Sequence, residues 1–64
     1  MEFTSQDYLK KALLDTQERV RDFMHFSQKM EDEKLRDFFQ SYADSEAVQA
    51  RHLHDFIIEN SSEI

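Results

Sequence analysis

"KMEDEKL", Lys29 to Leu35, decides how this sequence folds. Apolar residues recur at helical spacing on both sides of it. If the stretch continues the helix, the chain is one long rod. If it turns, the chain is a hairpin. Lys29 places a cation where a helix would end, and Asp32 is able to cap a new one. Glu33 adds negative charge to that new first turn, where the helix dipole favours it. The stretch therefore predicts one unit over residues 1–64, with helix 1 at about 5–30 and helix 2 at about 32–60.

Upstream, Thr4 or Ser5 is positioned to cap helix 1, with Asp7 in the first turn. Leu9, Leu13, Thr16, Val20, Phe23, Ser27 and Met30 then follow in steps of four and three, which is one face of a helix. Ala12, Leu14, Met24 and Phe26 widen that stripe. Downstream, Leu35, Phe39, Tyr42, Glu46, Gln49, Leu53 and Phe56 keep the same rhythm and predict the face turned toward helix 1. A second stripe runs beside it: Ala43, Ala47, Ala50, His54 and Ile57. Its small residues suit close approach by another helix. With Phe26, they are expected to form the contact with a second copy. "ENSSEI" puts acids at a helix C-terminus, where the dipole disfavours them, so the end is expected to fray.

Composition narrows the class. The chain has 64 residues, no Cys, no Gly and no Pro. Without Cys there is neither a disulfide framework nor a thiolate metal site. Without Gly there is no glycine-rich phosphate loop and no nucleophile elbow. Fourteen acidic against eight basic residues give a formal charge of −6, the wrong sign for binding nucleic acid or an anionic membrane. No apolar run is long enough to span a bilayer, and no signal-peptide pattern opens the chain. These features predict a soluble, cytoplasmic protein. A chain this short buries little surface, and broad apolar stripes leave residues such as Phe26, Phe38 and Ile58 over. The expected fold is all-α: an antiparallel helical hairpin that dimerises into a four-helix bundle.

Folding the hairpin about residues 30–34 brings Phe23 level with Tyr42 and Met30 level with Leu35. Thr16, Gln17 and Val20 then come level with Glu46 and Gln49. The apolar seam thus carries a polar layer of Thr16, Gln17, Glu46 and Gln49, of the kind that fixes register or oligomeric state at some cost in stability.

"FMHFSQKMEDEKLRDFFQSYADSEAVQARHL" resembles the helical hairpin of the rubrerythrin and ferritin-like superfamily. The likeness covers residues 16–54: an aromatic first helix, a short acidic turn, then Phe39, Ala43 and Glu46 in the places of that family's aromatic, alanine and glutamate. The resemblance implies a ferritin-like bundle and, in intact members, iron held by a Glu-x-x-His pair plus a first-helix Glu. Here Glu46 matches the bridging Glu, but Gln49 stands where His is expected. Thr16 and Gln17 occupy the first-helix Glu position, with Glu18 one residue away. The metal candidates are therefore Glu46, Gln49 and Glu18, a thin ligand set for iron.

Other groupings carry less. Asp22 and His25 are spaced one turn apart on the outer face of helix 1, and His52 and Asp55 on a mixed face of helix 2 with Ser45 and Val48. Asp7–Lys11, Asp15–Arg19 and Asp32–Arg36 read as helix-supporting pairs, worth about 0.3–0.5 kcal/mol each. No Ser/His/Asp grouping has a rigid loop to sit on, so no catalytic residues are assigned. Two readings follow. One is a non-catalytic assembly protein whose polar layer stands in place of a metal site. The other is an iron-binding protein of the rubrerythrin or ferritin kind, with a di-iron site between hairpins.

Overall fold

A computed structural model describes residues 3–61. Two α-helices, α1 (Ser5–Lys29) and α2 (Glu33–Ser61), pack against each other as a hairpin. Both ends of α1 are closed by its own sequence. The Thr4 hydroxyl accepts from the Asp7 amide at 3.2 Å, and the Asp7 carboxylate accepts from the Thr4 amide at 2.9 Å. This reciprocal pair satisfies two donors that the helix leaves over. It also holds the Asp7 pKa below its ordinary value, chiefly through the backbone hydrogen bond and then the Thr4 hydroxyl.

The break falls at residues 30–32. Met30 leaves the helix with φ −79° and ψ 130°, its amide still donating to the Phe26 and Ser27 carbonyls. Asp32 caps α2, accepting from the Lys34 and Leu35 amides at 2.8 and 3.1 Å. Arg36 donates back to the Met30 carbonyl at 3.2 Å, and the buried Ser27 hydroxyl donates to the Arg36 carbonyl at 3.1 Å. Polar side chains close a turn that needs no glycine, since no described residue has a positive φ.

The register is the expected one. Phe23 meets Tyr42, Arg19 meets Glu46, Ser27 meets Arg36 and Gln6 meets Ile57, so paired residue numbers sum to 65 or 63 along the whole hairpin. The α1 stripe also faces inward as its spacing predicts: Thr16 and Ser27 are buried, and Leu9, Leu13, Val20, Phe23 and Met30 are half-buried.

The rotation of α2 differs from the expected one. Its inward face is Phe39, Ala43, Glu46, Ala50, Leu53 and Ile57, while Leu35, Tyr42, Gln49 and Phe56 are exposed. Ala43 is the one buried apolar residue among those described, at 1 % exposure. Thus Ala43, Ala50 and Ile57, expected at a contact with a second copy, face α1 instead. Ala47, His54 and Phe26 remain exposed. Opposing size accounts for the rotation. The α1 stripe offers bulky Val20 and Phe23 at this height, and a small residue on α2 lets the helix axes approach. Two apolar stripes lie side by side on α2, and periodicity alone does not say which faces in.

Candidate functional site

Midway along the hairpin the seam carries charge. Thr16, 3 % exposed, donates its hydroxyl to the Ala12 carbonyl at 2.7 Å and accepts from Arg19 Nη2 at 3.2 Å. Arg19 reaches across to α2. Its Nε meets Glu46 Oε1 at 3.1 Å, and Nη2 lies 3.5 Å from Oε2. The Glu46 side chain is 15 % exposed and that of Arg19 46 %. The hydrogen bond to Glu46 raises the Arg19 pKa further above its already high value. The layer is therefore Thr16–Arg19–Glu46, a fork-shaped ion pair anchored on a buried hydroxyl.

Two residues of the expected layer, Thr16 and Glu46, are brought together. Gln17 and Gln49 are exposed, and so is the metal candidate Glu18, on the outer side of α1. Arg19 is the member that spacing missed. Its sequence neighbour Asp15 suggested a pair within α1, but Asp15 takes Lys11 at 3.0 Å instead. The usable signal was positional: Arg19 borders the α1 stripe at the height where Glu46 interrupts the α2 stripe. Among the described residues, no group of three or more His, Asp or Glu side chains converges as a metal site.

Beside this layer lies a broad apolar flank. At 100° per residue, Tyr8, Arg19 and Phe26 of α1 sit on the same side of the seam as Leu35, Phe38, Tyr42 and Phe56 of α2. Ring contacts knit the turn end of that flank. Phe26 and Phe38 both stack edge-on against Phe39, at 5.9 and 5.5 Å, and Phe23 meets Tyr42 at 4.6 Å. Phe38, Tyr42 and Phe56 nonetheless remain 57, 42 and 54 % exposed. Phe38 and Tyr42 line a shallow apolar groove with Ser41 and Ser45. The opposite flank is more polar, with Gln17, Gln28, Gln40 and Arg51 exposed around Met24 and Ile58.

No family model matches the chain, and no curated protein or solved structure matches it either. No helix among the described residues is long and apolar enough to cross a membrane.

Proposed function

We propose that this chain is a small non-catalytic assembly unit that works as a homodimer, two hairpins closing into a four-helix, ferritin-like bundle. The observation that carries the reading is the exposed aromatic flank. Among the described residues eleven large apolar side chains are exposed, and six of them, Tyr8, Phe26, Leu35, Phe38, Tyr42 and Phe56, lie on this flank. A monomer seldom leaves that much apolar surface in water, and closing a bundle is the shortest way to cover it.

The polar layer fits this reading. In the resemblance to the rubrerythrin and ferritin-like superfamily, Glu46 takes the place of a metal-bridging carboxylate. Here it is already neutralised by Arg19, which also donates to the Thr16 hydroxyl. An ion pair of this kind costs desolvation but fixes the register of the helices around it. The rival reading, iron held between two hairpins, has to take Glu46 away from Arg19 and finds Gln49 where the family has His.

Sedimentation equilibrium at micromolar concentration is expected to give about twice the 7.7 kDa chain mass. A folded species of single-chain mass would refute the assembly reading. Metal analysis after growth in iron-replete medium is expected to find only traces. About one iron per chain, a di-iron site shared by two chains, would favour the rival.

A further inference from the structure

The α2 flank holds a pattern that says how the second copy sits. Leu35, Phe38, Tyr42, Ser45, Gln49, His52 and Phe56 follow in steps of three and four, immediately beside the stripe that faces α1. The ends of this row are apolar and its middle is polar. Two pairs of the row are balanced about the gap between Ser45 and Glu46, Leu35 with Phe56 and Tyr42 with Gln49, while Phe38 comes level with Leu53. We infer that a second copy of this chain covers the flank with α2 against α2, antiparallel, about a two-fold axis between residues 45 and 46. This rests on the homodimer reading and specifies its contact.

Under that axis Leu35 lies beside Phe56 of the second copy at both ends, and apolar meets apolar. Tyr42 comes level with Gln49 of the second copy, so a phenol meets an amide able to hydrogen-bond to it. The groove at Phe38 and Tyr42 faces the segment from Gln49 to Leu53 of the second copy. Charge favours the same sense. Lys34 borders the row near its N-terminal end and Glu59 near its C-terminal end. Antiparallel packing brings them within a turn of each other, whereas parallel packing sets Lys34 against Lys34 and Glu59 against Glu59. An isologous contact of this kind is self-limiting, because each patch is used by its own copy.

The axis also gives Arg19 a second task. It passes next to Glu46, so the two copies bring their Glu46 carboxylates toward each other. Each arrives already paired with its own Arg19, 3.1 Å away, which offsets their repulsion.

The chain has no native Cys, so single labels report only distances between copies. Spin labels on Ser45→Cys and, separately, on Lys34→Cys are read by double electron–electron resonance, with dimer mass checked for each. The pairing predicts a short distance at Ser45→Cys, under about 20 Å, and about 35 Å at Lys34→Cys from the helical rise. If a label at position 45 splits the dimer, the Lys34→Cys distance decides: about 35 Å supports the pairing and a short one overturns it. Short distances from both labels would mean a parallel pair, overturning the inference while sparing the homodimer. A dimer with a long distance at position 45 would place the contact elsewhere and overturn it too. A folded monomer with no distance between copies would overturn both, leaving the flank to a different protein.

Discussion

The half of the hairpin beside the turn and the half at its open end are built from different material. Next to the turn, Phe23, Phe26, Phe38, Phe39 and Tyr42 form a ring cluster with centroids 4.6–6.1 Å apart. Ser27, Arg36 and Asp32 stitch the backbone there. At the open end the half-buried contacts are aliphatic, from Leu9, Leu13, Leu53 and Ile57, and the Gln6 side chain donates to the Ile57 carbonyl at 3.2 Å. The short connection keeps the loop-closure cost low for contacts near the turn. The same rings are too large for a two-helix seam, and they overflow onto the flank. One group of residues thus gives the hairpin its ring cluster and much of its exposed apolar surface.

Six substitutions test that contrast, at fixed protein concentration because association shifts apparent stability. The largest effect is expected from Phe23→Ala. It removes the ring at the centre of the cluster and should cost about 3 kcal/mol in urea unfolding, near the low end for buried phenylalanine. Leu53→Ala at the open end should cost clearly less. Equal losses would abolish the distinction between the halves. Ala43→Leu comes next. It overfills the closest approach of the helices and should cost about 1–3 kcal/mol. A neutral result would mean the helices meet elsewhere.

Arg19→Met should lower the melting temperature by stranding a half-buried Glu46 carboxylate. Adding Glu46→Leu should restore or exceed the native value, since packing then replaces the ion pair. If the double variant is less stable than Arg19→Met alone, Glu46 has a role beyond this pair. The smallest effect is at the cap. Thr4→Ala should cost about 0.5–1 kcal/mol. Because Asp7 has a depressed pKa in the folded chain, its contribution is present above the ordinary aspartate range. It fades as pH falls below about 4, through the lower folded value. Helicity measured down that range should fall less steeply in Thr4→Ala than in the native chain.

Much of the hairpin was legible in the residues. The Thr4–Asp7 cap, the stop after Lys29 and the Asp32 cap follow from short-range rules, and all three stand in the structure. The level of Phe23 with Tyr42 follows from the length of the connection. The rotation of α2 was not legible, because it depends on which of two adjacent stripes fits the bulk of Val20 and Phe23. Arg19 was hidden for a related reason. A long cation has several partners within reach, and only the tertiary register favours Glu46 over Asp15.

The connection at residues 30–32 has one more consequence. Its Met30 φ of −79° already suits a helix, its ψ of 130° does not, and no described residue sits in a left-handed conformation. Nothing in its covalent chemistry prevents straightening into an unbroken rod of about 85 Å, given the rise per residue. Two such rods laid antiparallel would recreate every seam contact between molecules instead of within one, so exchange of arms at high concentration is the hazard this turn carries.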